Sequence, residues 1–290
     1  MATINNMLGG TYSLYQMSIA NGSLFGSNKT KAQDSISSLW NSYSSYQSNA
    51  SEALSGLSMI SSNVSSLLSS YDTAKQTFYD EFDTTMNDLQ KSSDKIKSFD
   101  FNVGQNAITT KESVDEDGNK ITTTEQSDKL KEAITAVKDF VNDYNDSLKF
   151  FSDNSEVSKR VGRMNTLFAD TTYRRSSYES IGISVGGDGK LTVDEDKLAS
   201  VLVKDSEEAA KHADEDRESF SRVANVLGKD GLAGKADSHI STANSQKESL
   251  FPSVQSMFGK DLATAAMYTG SSYRNMSAYN NVGSLINMMF

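Results

Sequence analysis

From Ile36 onward, apolar and aromatic side chains recur every three or four residues: Leu39, Tyr43, Tyr46, Ala50, Ala53, Leu57, Ile60, Val64, Leu67, Tyr71, Ala74 and Phe78. A mean spacing of about 3.5 residues predicts a coiled-coil-like helix, because only a slightly underwound helix keeps that register facing a partner. After Phe78 the step is four, to Phe82, and the stripe continues through Met86, Leu89 and Ile96. This is the sequence form of a stutter and predicts one helix running on to about Phe99. Trp40, Leu54 and Leu68 widen the stripe from a two-stranded seam to a bundle face. Between Ser35 and Ser70 the remaining positions are mostly Ser and Asn, with Glu52 the one charge, so packing and not ion pairing selects the partner. A second stripe, Leu130, Ile134, Val137, Val141, Tyr144, Leu148 and Phe151, predicts a helix from about Asp128 to Phe151, antiparallel to the first.

Two stretches change period. Thr-rich flanks around Asp117-Gly118-Asn119 predict a hairpin near 107–126. Ile181, Ile183 and Val185 alternate, Gly186-Gly187-Asp188-Gly189 turns the chain, and Leu191 and Val193 alternate back, a second hairpin near 181–193. Asp194 is then the expected N-cap of a helix whose positive end Glu195 and Asp196 favour. Helices are expected over 194–202, 206–227 and 236–258, with a break at Gly228 to Gly234. Pro252 is the single proline, so almost nothing bars long helices. The fold class implied is mainly α: an elongated, coiled-coil-like helical bundle over 31–259 with two small β-hairpins, between terminal segments 1–30 and 260–290.

Those terminal segments carry no charge from Met1 to Asn28 or after Arg274. Ile4, Leu8, Tyr12, Tyr15 and Ile19, and then Tyr279, Val282, Ile286 and Met289, recur at helical spacing. Isolated helices this short are marginal in water, so these residues are expected to order against each other or a neighbouring subunit, as an assembly interface.

Charge and composition narrow the function. A net charge of -10 with no Lys/Arg cluster excludes nucleic acid and anionic membranes as partners; Arg174-Arg175 is the densest arginine pair. No apolar run approaches a membrane span, and the basic and apolar regions of a secretory leader are missing from the first residues. Cysteine is absent, which removes thiolate chemistry and sulfur-ligated metals. Asp115-Glu116-Asp117-Gly118-Asn119 looks like a calcium loop but fails on register, since Gly118 as sixth residue makes Ser113 first and Thr124 twelfth. The same alignment on Gly189 keeps Asp188 and Glu195 but puts Ser184 first and Gly186 third. His212 and His239 have no HxxxH or HExxH partner and read as surface helix residues. No nucleophile elbow, phosphate loop or dinucleotide fingerprint occurs. The expectation is a protein that is not an enzyme and takes no cofactor or metal.

Phe140-Val141-Asn142-Asp143-Tyr144-Asn145 resembles the FV-x-x-YN segment of flagellar filament-cap proteins, the second hook-associated family. Downstream, Gly182-Ile183-Ser184, then Asp188-Gly189-Lys190-Leu191 and Asp194-Glu195-Asp196-Lys197-Leu198, is similar to the GI(S/T)…DGKL…DE.KL block of that family, in the same order. The resemblance spans roughly 128–235 and implies that Phe140, Val141, Tyr144, Asn145, Gly182, Ile183, Asp188, Gly189, Leu191, Asp194 and Leu198 are scaffold residues. It further implies an extracellular structural subunit of the bacterial flagellum, exported through the flagellar type III apparatus. Implied partners are further copies of itself, flagellin or other hook-associated proteins, and an export chaperone. The chain departs from the family in lacking a GLGSGLD-like start within Met1 to Gly22, and in having only Phe101 to Ser127 where the family carries a large head. A secreted binding module, an adhesin or type III translocator presenting the 107–126 tip, is the reading from another class.

Overall fold

The computed structural model describes residues 34, 37–39, 41–42, 57–114, 120–211 and 221–258. The expected terminal helices with Ile4, Leu8, Tyr12, Tyr15, Ile19, Tyr279, Val282, Ile286 and Met289 lie outside these residues, as do His212 and the hairpin tip at 115–119. The described chain is mainly α-helical, with two small antiparallel sheets of two strands each.

Helix α1 (Leu57–Ser98) carries the stripe that the sequence predicts. Leu67, Tyr71, Ala74, Phe78, Phe82, Met86, Leu89 and Ile96 are all buried, across the stutter as well as before it. The heptad step between Leu89 and Ile96 falls on Ser93, which is fully buried. Its hydroxyl donates to Asp237 Oδ1 at 2.7 Å, with the Ala233 carbonyl 3.0 Å away, so a polar residue holds a core position at little cost.

A single helix over 36–99 is not what forms. Residues 37–39, 41 and 42 are helical, but the hydroxyls of Ser42 and Ser70 lie 2.9 Å apart. In one straight helix, two residues 28 positions apart would be separated by about 42 Å at ~1.5 Å per residue. The expected continuous helix is therefore corrected: the helical residues at 37–39, 41 and 42 and helix α1 are not parts of one straight helix.

Contacts divide the chain into two compact units, 1–81 with 252–290, and 82–251. Within the described part of the first, the Tyr71 hydroxyl donates to the Pro252 carbonyl at 2.8 Å, and the Tyr71 ring meets Phe258 edge-on at 6.3 Å.

The second unit holds a helical core. Strands β1 (Ile108–Val114) and β2 (Lys120–Gln126) pair from Ile108↔Gln126 to Val114↔Lys120. Ser127 N–H donates to the Ala107 carbonyl at 2.8 Å, closing the hairpin's base. The Ser127 hydroxyl then accepts from Leu130 N and caps α2 (Asp128–Asp153), so hairpin and helix are joined through one residue. Phe82 of α1 meets Phe150 and Phe151 of α2, while Lys95 of α1 reaches Asp139, so these helices run antiparallel as expected.

Beyond α2 follow α3 (Lys159–Phe168), a 3-10 turn (Ala169–Arg174) and α4 (Arg175–Ser180), none of which the apolar pattern had assigned. Strands β3 (Ile183–Val185) and β4 (Leu191–Val193) form the second hairpin. Helix α5 (Glu195–Lys211) runs through the gap expected at 203–205, because Leu198, Val201, Leu202, Asp205 and Ser206 keep one face buried. Helix α6 (Arg222–Leu227) and helix α7 (Leu232–Gln246) follow, α7 starting inside the expected glycine break. Asp237 near its start and Lys247 just past its end set it antiparallel to α1, through Lys97 and Asp83. The last expected helix is split: α7 stops at Gln246, a 3-10 turn (Lys247–Ser249) intervenes, and α8 (Val254–Phe258) starts after Pro252, which disfavours helix in the residue before it.

Candidate functional site

The residues of the two sequence motifs meet at one place, where α2 crosses the second hairpin. Phe140, Val141 and Tyr144 lie on the buried face of α2, and Asn145 stands half-buried at its flank. The Asn145 Nδ2 donates to the Leu191 carbonyl at 2.8 Å, and Leu191 N–H donates to Asn145 Oδ1 at 2.8 Å. An amide side chain thus presents the same donor and acceptor pair as a neighbouring strand, and it closes both free backbone groups of Leu191 on the open side of β4.

Tyr144 extends the junction inward. Its hydroxyl donates to the Phe168 carbonyl at the end of α3 at 2.9 Å, and its ring lies 5.9 Å from that of Phe168. Burial, helped by Tyr178 and Asp170, pushes the Tyr144 phenol far above its ordinary value, so it stays a donor. Phe168 also stacks on Phe151 at 4.9 Å.

The turn of the hairpin is held from above. Thr171 Oγ1 donates to the Gly189 carbonyl at 2.6 Å. Gly189 has φ +85°, and a Cβ there would lie 2.7 Å from both Cα and the carbonyl oxygen of Ala169. Asp188 accepts from Lys190 N–H at 3.1 Å, an Asx turn that sets the reversal. At the other end Gly182 has φ +87°, with Leu198 N only 2.8 Å from where a Cβ would sit. The Gly182 carbonyl accepts from Asp194 N–H at 2.8 Å, and Asp194 Oδ1 accepts from Lys197 N–H at 3.0 Å, the helix cap expected from the sequence. Ile183, Leu191 and Leu198 are buried beneath. Asn145, Tyr144, Thr171, Asp188 and Asp194 each bond a backbone group, and together they fix the hairpin to α2, to the end of α3 and to the start of α5.

His239 is not the surface residue expected from the sequence. It is 5% exposed, its ring 5.1 Å from Phe168, and its Nδ1 has no hydrogen-bond partner among the described residues. Burial first, then Lys235, lowers its pKa to about 4 despite an opposing pull from Asp170. The reading failed because α7 turns this position towards the α3 end, which no local pattern reveals.

Sequence reasoning also missed Thr171, Phe168 and Tyr178, which line this junction. Ser158 ahead of Val161, Met164 and Phe168 was a readable signal, being a cap followed by helical spacing; the Ser158 hydroxyl accepts from Val161 N–H. A second buried polar pair lies nearby in sequence: Asp205, 2% exposed, accepts from Arg222 N–H at 2.7 Å and from Arg222 Nε at 2.6 Å.

Among the described residues no group of three or more His, Asp or Glu side chains has metal-binding geometry, and no helix is long and apolar enough to cross a membrane. An open depression of 340 Å³ lies between α1 and α2, lined by Lys95, Phe99, Lys131, Glu132 and Thr135. Compared with protein-family models, curated proteins and solved structures, the chain matches none.

Proposed function

We propose that this chain is a self-assembling structural subunit of the bacterial flagellum, filament-cap-like, extracellular, exported by the flagellar type III apparatus and without enzymatic activity. Its partners in this reading are further copies of itself, flagellin or hook-associated proteins, and an export chaperone. One observation carries the proposal: the two sequence blocks that resemble the cap family, 46 residues apart at Asn145 and Leu191, are joined by a paired amide contact. The residue types of the resemblance are therefore those the junction uses, including two glycines in left-handed conformation and an aspartate cap. Deleting the gene and imaging the cells by electron microscopy tests it. The expected result is shortened or missing filaments, with flagellin released into the medium.

The second reading, a secreted adhesin or translocator, draws on the β1–β2 hairpin, whose strands of seven residues each form a two-stranded sheet by themselves. Normal filaments combined with lost attachment in the deletion strain would select that reading instead.

A further inference from the structure

Arginine is unevenly spread. None of the seven arginines precedes Arg160, and four of them, Arg160, Arg163, Arg174 and Arg175, fall within 160–175. Along the 3-10 turn and α4, the six residues Thr172 to Ser177 are all exposed, and Tyr173 is 87% exposed. Arg174 and Arg175 make no ion pair among the described residues: of the two acids in this segment, Asp170 is taken by Lys235 at 2.6 Å and exposed Glu179 of α4 makes no ion pair among them. An open tyrosine ring beside two unpaired guanidinium groups is the side-chain chemistry that dominates protein interfaces.

The complementary surface is on the same chain. Antiparallel packing sets Asp88 of α1 close to Asp143 of α2, which also has Asp139 and Asp146 of its own helix beside it. Asp88 has Lys91 at 3.0 Å and Asp139 has Lys95 at 3.4 Å, but half-buried Asp143 and exposed Asp146 have no cation among the described residues. Burial and then the three neighbouring aspartates raise the Asp143 pKa, against a hydrogen bond from Ser92 that lowers it. Two anions thus lack partners on one surface, and two cations lack them on another.

We propose that Tyr173, Arg174 and Arg175 of one copy dock on the Asp143 and Asp146 face of a second copy of this chain, a head-to-tail contact. The occupant is a second copy because the two surfaces are complementary in charge yet unjoined within one molecule. The contact is heterologous, since the two patches differ, and such a contact repeats into rings or filaments. Net charge of -10 per copy repels other approaches, so this local complement also sets the register. The inference rests on the self-assembly reading above and supplies its contact.

The test is sedimentation of the full chain across a concentration series. Arg174→Glu with Arg175→Glu, and separately Asp143→Lys with Asp146→Lys, are each expected to weaken self-association about tenfold or more, the scale of opposing charges at an interface. Mixing the two reversed chains is expected to recover the association that each has lost. Tyr173→Ala, an exposed change with no bearing on folding, is expected to weaken it as well. Circular dichroism checks that each variant is folded. Association unaffected by the arginine reversals, a mixture that does not recover, or a wild-type chain that stays monomeric while binding phosphatidylglycerol vesicles through this patch would each overturn the contact. If reversal abolishes association but cells carrying it build normal filaments, the contact stands and the flagellar reading falls. If filaments depend on the gene but not on the arginines, the flagellar reading stands and the contact falls.

Discussion

Asn145 replaces a strand for Leu191: one carboxamide satisfies both the N–H and the carbonyl that β4 leaves open, each at 2.8 Å. Because Leu191 is 2% exposed, water has little access to replace those bonds. Asn145→Ala is therefore expected to cost about 2–3 kcal/mol in urea unfolding, the cost of stranding two backbone groups. Asn145→Asp keeps the acceptor but turns a carboxylate towards the Leu191 carbonyl, and is expected to be no better. Hydrogen exchange at the Leu191 amide gives a direct check: protection unchanged in Asn145→Ala would mean the pairing does not hold the strand.

The glycines make a graded series. At Gly187 a Cβ meets nothing within 4 Å and φ is ordinary; at Gly104 the space is open but φ is +84°; at Gly189 φ is +85° and the Ala169 backbone is 2.7 Å away. Substitution by Ala is expected to be within about 0.5 kcal/mol of neutral at Gly187, to cost about 1 kcal/mol at Gly104, and to cost 2 kcal/mol or more, roughly, at Gly189. Thermal or urea unfolding of the three variants checks the ranking. Equal losses at Gly104 and Gly189 would remove the role given to the Ala169 contact.

Local features of this fold were legible because their physics is local. The stripes of α1 and α2, both hairpins and the Asp194 cap follow from spacing, turn residues and capping chemistry over a few positions. The approach of Ser42 to Ser70 was not legible, since a heptad stripe reads the same whether or not a single straight helix carries all of it. Nor was the burial of His239, which depends on where the end of α3 lies. Asn145 was singled out by resemblance alone; its task depends on a partner 46 residues away, beyond any periodicity.

Asp205, inside α5, ties that helix to Arg222 at the start of α6, 17 positions further along the chain. The carboxylate is buried while the guanidinium side chain is 38% exposed, so the two ends of the pair are not equivalent. Arg222→Ala leaves the carboxylate only its backbone donor and is expected to cost about 2–3 kcal/mol, below the range for fully buried pairs. Asp205→Asn removes the charge, keeps an acceptor for Arg222 N–H, and is expected to cost less, about 1–2 kcal/mol. The reverse order in urea unfolding would show that packing of the arginine stem, not the buried charge, is what matters.

His239 gives the chain an acid-side dependence whose sign is fixed. Its folded pKa is about 4, set by burial and then Lys235, against 6.5 for the free side chain. Between these values the unfolded chain binds a proton that the folded chain does not, so unfolding free energy rises with pH. The contribution is full above about pH 6.5, is lost as pH falls towards 4, and levels off below that. Its size is on the order of 3 kcal/mol, since each tenfold change in proton affinity corresponds to about 1.4 kcal/mol and the pKa falls from 6.5 to about 4. Asp143, raised chiefly by burial, works in the opposite sense above its ordinary value of 3.8, so the comparison must be between a variant and the wild type at each pH. His239→Leu has no unpaired Nδ1 to bury and retains an apolar surface for Phe168. It is expected to match wild type within about 1 kcal/mol at pH 7.5 and to be the more stable of the two at pH 4.5. Urea unfolding at half-unit steps from pH 7.5 to 4.5 measures the difference; a gap that does not change across that window would show that His239 stays uncharged in the unfolded chain or takes up its proton in the folded one.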